Sequence, residues 1–333
     1  MHTKRTSLAH LSVLLLTIGA LGIANGCGSF TSSDLPTKHI YVTQASSVKV
    51  FPLTASGDVA PTTTISGVST GFIDARSSAF DANGNIYITD AAGDSVLEFS
   101  VNASGTTTPV HTITGAATGL GFPRGIAIDT QGNIYVSNSG DANNSNVVSV
   151  TVYAAGAEGN VSPTATISGA ATGLSSPNGI ALDTHGNIYV ANGANLSGFG
   201  SVTVYAANAT NNAPPTVTIS GAATGLAEPE ALAFDAAGNI YVSNGMGNSV
   251  TVYSAGASGN ATPTKTIIGA ATGLSSPNGI ALDAAGNLYV ANESGGSVTV
   301  YPAGATGNAP PVAVISGGAT GFSASTIHGV AIR

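Results

Sequence analysis

The chain has 333 residues, of which 7% are charged, 43% are hydrophobic and none is tryptophan, and its formal net charge is −8. So few Glu, Lys and Arg residues argue against a helical protein, the apolar content is too high for a disordered one, and no basic stripe offers itself to nucleic acid. The abundant Gly, Thr, Ser, Val and Asn suit short strands and tight turns within one large domain or two ordinary ones.

The N-terminus reads as an export signal. Lys4 and Arg5 precede the apolar run LSVLLLTIGALGI (11–23), and small residues follow. A basic start, a short apolar run and a small-residue cleavage region mark a secretory signal, and the run is too short for a membrane span. Losing Lys4 and Arg5 leaves the mature chain still more acidic. The single cysteine, Cys27, follows Ala24-Asn25-Gly26 directly and has no second cysteine for an internal disulfide. In that place it resembles the acylated cysteine of bacterial lipoproteins; ordinary cleavage after Gly26 would instead leave a free thiol. The expected organisation is a signal peptide over 1–26, a lipid-anchored flexible tether over 27–37 and a folded domain over 38–333. The resemblance implies a bacterial cell-envelope location, on the outer membrane or in the periplasm, and the alternative implies a secreted protein.

From residue 38 onward the sequence repeats. A Gly-Asn-Ile-Tyr-Val-like string recurs with tyrosines at 41, 87, 135, 189, 241 and 289. Each unit holds four short apolar stretches, which in the last complete unit are GIALD (279–283), NLYVAN (287–292), SVTVY (297–301) and APPVAVI (309–315). These predict strands A to D. Asp-x-x-Gly-Asn joins A to B as a tight hairpin with glycine at positive φ, and Gly-Ala-x-Gly-Asn-x-x-Pro joins C to D. Four antiparallel strands per repeat of this length predict an all-β propeller. HIYVTQ (39–44) is a strand B with no strand A before it, and GVAIR (329–333) is a strand A with no strand B after it. The last strand should therefore complete the first blade, closing six blades into a ring without exposed inner edges.

Stretches such as GIALDTHGNIYVAN (179–192) resemble the NHL repeat, and residues 38–333 resemble six-bladed NHL-type propellers. Similar six-bladed folds include gluconolactonase-like lactonases and streptogramin lyase-like proteins. The resemblance implies a fold and leaves the activity open, because this fold hosts binding scaffolds and enzymes alike.

Spacing locates the variation. From the strand C aromatic (Phe51, Phe99, Tyr153, Tyr205, Tyr253, Tyr301) to the strand D isoleucine (Ile65, Ile113, Ile167, Ile219, Ile267, Ile315) the step is always 14. From the strand B tyrosine to the strand C aromatic it is 10, 12, 18, 16, 12 and 12. The B–C loops therefore vary on a fixed scaffold, which makes their face the expected working face. The chain enters blade 1 from the opposite face, so a lipid at Cys27 would leave the working face pointing away from the membrane. The partner expected there is a protein or a small ligand, and the protein is expected to be a monomer.

The residue heading each strand A should line the central channel: His328, Arg76, Arg124, Asn178, Glu230 and Asn278. Two readings stand side by side. In the structural one, Arg76 and Glu230, on opposite blades, satisfy each other with bound water. In the functional one, the ring is a ligand-binding site. Asn178, Glu230 and Asn278 offer oxygen to Ca²⁺ or another divalent cation, and Arg76 with Arg124 can hold a carboxylate or phosphate. The lactonase resemblance implies an axial divalent metal, although the ring lacks that family's further carboxylate. The lyase resemblance implies His328 and Glu230 as catalytic candidates. A non-enzymatic binding scaffold needing no cofactor comes first, a metal-assisted lyase or lactonase second, and a purely structural surface protein third.

Other residues are less specific. The strand B ends Gln44, Asp90, Asn138, Asn192, Asn244 and Asn292 read as turn caps. Asp141, Asn143 and Ser145 have the alternate spacing of a calcium loop, without its glycine and distal glutamate. His39, His111 and His185 have no ligand-spaced partners. Phe72, Phe122, Phe199 and Phe322 are the few aromatic platforms a sugar would find.

Overall fold

The computed structural model describes residues 38–140, 148–193 and 199–333, and Lys38–Arg333 forms one compact unit. Cys27 and the residues before it, the tether, and Asp141, Asn143 and Ser145 lie outside the described residues. Among the described residues, twenty-four strands, β1 to β24 in chain order, pair into six four-stranded sheets. In blade 1, β24 (Ile327–Ile332) pairs antiparallel along β1 (His39–Gln44), followed by β2 (Ser47–Pro52) and β3 (Thr63–Ser66). Each later blade uses four consecutive strands, from β4–β7 (75–114) to β20–β23 (277–315). The expected C-terminal closure is present.

Local chemistry explains the elements. In the A–B hairpins the backbone N–H groups of Asn85, Asn133, Asn187, Asn239 and Asn287 donate to the leading aspartate at 2.8–2.9 Å, and the glycine between them holds φ of 79–88°. Strand D in the last unit is shorter than expected, Ala313–Ile315, because Pro310 and Pro311 have no N–H to give a ladder. The strand B ends act as caps. Asn138, Asn192, Asn244 and Asn292 each accept an N–H from the preceding D–A loop, and each donates Nδ2 to a buried strand C threonine at 3.0–3.1 Å.

The core lies between blades. One cluster joins Tyr87 and Val96 of blade 2 to Ile126, Ile134, Val136 and Tyr153 of blade 3, and the other interfaces repeat the pattern. At the outer rim, each strand D isoleucine forms a parallel bridge with the C–D turn of the next blade, from Ile65↔Gly105 round to Gly57↔Ile315. The turn asparagines Asn160, Asn212, Asn260 and Asn308 accept the backbone N–H of Ala117, Ala171, Ala223 and Ala271 at 2.7–2.8 Å. Asp58 accepts that of Ala319 in the same way, while blade 2 has Thr106 at this position.

One substitution inside the repeat is compensated. In blades 3 to 6 the strand C tyrosine is buried and donates its hydroxyl to a D–A loop threonine carbonyl at 2.6–2.7 Å, with a leucine two residues beyond that threonine. Blades 1 and 2 have Phe51 and Phe99 instead, and there the leucine is replaced by Phe322 and Phe72, whose rings sit 5.3 Å from those of the strand C aromatics. Phe72 and Phe322 are therefore blade packing rather than sugar platforms. Tyr301→Phe should lower stability by about 1 kcal/mol by leaving the Thr272 carbonyl without its donor. Adding Leu274→Phe should recover part of that loss, as measured by denaturant unfolding; a double variant weaker than the single one would show that the pairing is not transferable.

Candidate functional site

The six inner strands share one irregularity. In blade 4 Pro177 pairs with Asn192 and Ile180 with Val190, so Asn178 and Gly179 face one residue of the neighbour. The same bulge falls at Arg76, Arg124, Glu230, Asn278 and His328 in the other blades. A bulge breaks the alternation of side chains and re-aims the extra residue. Here it turns each ring residue to the channel, and all six line a single axial cavity of about 140 Å³.

Glycine after the bulge lets neighbouring inner strands touch. A Cβ at Gly125 would stand 2.6 Å from the Asn178 carbonyl, one at Gly179 2.7 Å from that of Glu230, and one at Gly279 2.7 Å from that of His328. Hydroxyls on strand B fix carbonyls of the ring residues in three blades. Thr89 donates to the Arg124 oxygen at 2.7 Å, and Ser137 and Ser243 donate to those of Asn178 and Asn278 at 2.5 Å.

The ring pairs differently from the structural expectation. Arg76 donates Nε and Nη2 to Asp74 Oδ2, at 2.9 and 2.5 Å, because this carboxylate stands two residues away on the same chain. The nearest cation to Glu230 is Arg124, with Nη1 3.8 Å from Oε2. His328 Nε2 lies 3.7 Å from Asp74 Oδ1. Asn178 donates Nδ2 to the Pro229 carbonyl and Asn278 donates Nδ2 to Glu293, both at 3.1 Å. The Phe122 ring lies between the two arginines, 5.7 Å from Arg76 Cζ and 5.4 Å from Arg124 Cζ.

A second tier stands at the mouth, where a space of about 290 Å³ is lined by Arg76, Arg124, Glu228, Glu230, Asn278 and Glu293, among others. Phe122, Ser176, Glu228 and Ser276, each two residues before a ring residue, hold φ of 47–55°, a conformation that costs non-glycine residues energy and gathers at functional sites. Their carbonyls accept the N–H of the residue that opens the B–C loop, as Glu228 does from Gly245 and Ser276 from Glu293. Sequence reasoning missed Asp74, Glu228 and Glu293. Reading the position two before the ring in the same register would have found the first two.

Burial pushes Glu230 up to about 7 against the pull of Arg124, with Glu228 and Glu293 adding to the rise. Burial, then Arg76, holds His328 down to about 4. Burial also lowers Arg124. Away from the axis, His111 is raised by its 2.8 Å contact with Glu98, a partner the spacing did not show, and His185 is an exposed turn residue.

The two axial shifts act oppositely on stability. The folded state holds the Glu230 proton more tightly than an unfolded glutamate does, so stability falls as pH rises from about 4.3 to 7, by about 4 kcal/mol at most. Folded His328 resists protonation, so stability is lost as pH falls from about 6.5 to 4. Between about 4.5 and 6.5 the wild-type slopes should largely offset each other. Glu230→Gln should remove the Glu230 decline, with Tm rising over that window and falling less than in the wild type up to pH 8, where only the raised His111 opposes it. Parallel Tm–pH curves for the two proteins would disprove a buried titration at Glu230.

No family model matches the sequence, and no curated protein matches it. Solved structures match in fold. A chain of a nidogen/laminin complex is 19% identical over 89% of this chain and 98% of that one, with a TM-score of 0.62. A protein of unknown function from Bacteroides caccae is 13% identical over 89% and 98%, with a TM-score of 0.59. The WD40 propeller domain of Doa1 is 12% identical over 88% and 82%, with a TM-score of 0.55. Residues 38–333 are therefore a six-bladed β-propeller of four-stranded antiparallel blades, its ring closed by the C-terminal strand.

Proposed function

We propose that this propeller is an exported cell-envelope scaffold that binds a ligand or partner at its axial mouth, on the face of the B–C loops. One observation carries the reading. Among the described residues, the buried side-chain N and O atoms without a hydrogen-bond partner are Arg124 Nε, Asn178 Oδ1 and His328 Nδ1. All three belong to the axial ring. Each such group costs about 1–3 kcal/mol when unpaired, so a molecule that pairs with them gains correspondingly. The same face carries the loops whose length varies.

A metal-assisted lyase or lactonase is the second reading, favoured by Glu230 near 7, which suits proton transfer at neutral pH. Asn178, Glu230 and Asn278 would supply oxygen to Ca²⁺, with His328 as the acid. Arg124, 3.8 Å from Glu230, and Arg76 on the same cavity oppose a further positive charge. No group of three His, Cys, Asp or Glu side chains suited to a metal occurs among the described residues. The binding scaffold therefore ranks first.

Thermal shift of the full chain tests the ranking, using a panel of amino acids, carboxylates, phosphates, sugars and divalent cations. At least one class should raise Tm by a few degrees at saturation in the wild type and not in Asn178→Leu or Arg124→Met. A response confined to Ca²⁺ would move the metal enzyme to first place. If no class responds and Asn178→Leu alone raises Tm, the ring is a structural plug. Anchoring has its own test: Cys27→Ser should shift the protein from the membrane to the soluble fraction, and unchanged membrane association would remove the lipid.

A further inference from the structure

Apart from Asp74, which is paired with Arg76, the charges around the axis are sorted. Arg76 and Arg124 stand on blades 2 and 3. Glu230 and Glu228 belong to blade 5 and its leading loop, and Glu293 belongs to blade 6, the opposite half of the ring. Within that dipolar mouth, three consecutive blades present Arg124, Asn178 and Glu230: a guanidinium with a buried unpartnered Nε, an amide with a buried unpartnered Oδ1, and a carboxylate. Asn178 is 5% exposed and His328 4%, and both line the cavity. The amide orientation is fixed, because Asn178 Nδ2 is already committed to the Pro229 carbonyl. The guanidinium is steadied by the Phe122 ring. Arg124 and Glu230, at 3.8 Å, are too far apart to satisfy each other as a charge-assisted hydrogen bond, which runs to about 2.7–2.9 Å.

We infer that the axial mouth binds a small zwitterion of the α-amino acid type, its carboxylate on Arg124 and its ammonium between Asn178 Oδ1 and Glu230, with Glu293 and Glu228 behind. The inference rests on the binding reading above and names its ligand class. A lone anion such as phosphate meets three carboxylates at the mouth, and a divalent cation meets two guanidiniums. A molecule carrying both charges a few ångströms apart answers both halves. The size agrees: the axial cavity that holds Arg124, Asn178 and Glu230 is about 140 Å³, well below a drug-sized pocket, and Glu228 and Glu293 line the space of about 290 Å³ at its mouth. The ammonium favours ionised Glu230, which is faced by Arg124 and Arg76 as well as by Glu228 and Glu293. Binding near neutral pH should therefore release a fraction of a proton.

Isothermal calorimetry on the full chain provides the test, with glycine and L-alanine as probes against acetate, propionate, ethylamine, inorganic phosphate and CaCl₂. The amino acids should bind at least tenfold more tightly than acetate or ethylamine. Glu230→Gln and Asn178→Leu should each weaken them at least tenfold. Arg124→Lys should weaken them less than Arg124→Met, and His111→Ala, remote from the axis, should leave them unchanged. Runs in two buffers of different ionisation enthalpy should show the proton release at pH 7 and its loss in Glu230→Gln. Equal binding of acetate or ethylamine, or no amino-acid binding by folded protein, overturns the inference. Ring-dependent binding of phosphate in place of amino acids overturns it while leaving the binding reading intact, binding of calcium alone overturns it in favour of the metal enzyme, and silence toward every probe removes both.

Discussion

The constraint on which the rest depends is the closeness of the inner strands at the axis. Six strands meeting round a narrow channel leave no room for side chains between neighbouring backbones. At Gly125, Gly179 and Gly279 even a methyl group would stand 2.6–2.7 Å from backbone atoms of the next blade. Each strand resolves the crowding with one bulge, which puts the small residue toward its neighbour and the residue before it into the channel. The polar ring is thus a consequence of how the propeller closes. The fold supplies six inward positions, and the chemistry at each is free to vary.

The rim and the mouth divide the remaining work. At the rim, backbone bridges and turn asparagines repeat almost identically from blade to blade, because any gap there would open a strand edge. Near the axis the repeat is looser. Ser77 and Ala231 stand where glycine follows the bulge in the other four blades, at the interfaces of blades 2 with 3 and 5 with 6. At those same two interfaces a B–C loop side chain reaches across, Asp94 accepting the Phe122 N–H and Asn248 that of Ser276, both at 2.7 Å. At these two interfaces the larger residue after the bulge thus coincides with a side-chain clasp at the mouth.

Most of the scaffold was legible because it is written six times. Blade number, hairpin glycines, closure by the last strand and the identity of the ring all follow from register. The Asn at four of the strand B ends was recognisable as a cap because it repeats. What repetition hides is partnership between units. Asn160 and its equivalents read as turn residues, yet their side chains reach the preceding blade. The exchange of Tyr and Leu for Phe51 with Phe322 shows only when loop and strand are compared together. Arg76 was matched to Glu230 by blade position, but a local Asp74 two residues away reaches it first. Glu293, outside the repeated motif, carried no signal in its own unit and became part of the site only when blades 5 and 6 were placed side by side.

The ring's electrostatics follow from the same economy. A chain with so few charges places two of its arginines, the carboxylates of Asp74, Glu228, Glu230 and Glu293 and a histidine around one axis, in surroundings that strip Glu230 and His328 of water. Desolvation then dominates. It lifts Glu230 in spite of Arg124 and lowers His328 in spite of Asp74, so neither group settles into a plain ion pair. A channel serving only to fill space would be more stable with the aliphatic side chains used everywhere else in the repeat, because replacing buried charges with packed apolar groups is commonly neutral or stabilising. The retained cost, three unpartnered buried atoms on one ring, is the physical ground for reading the axis as a binding site rather than as packing.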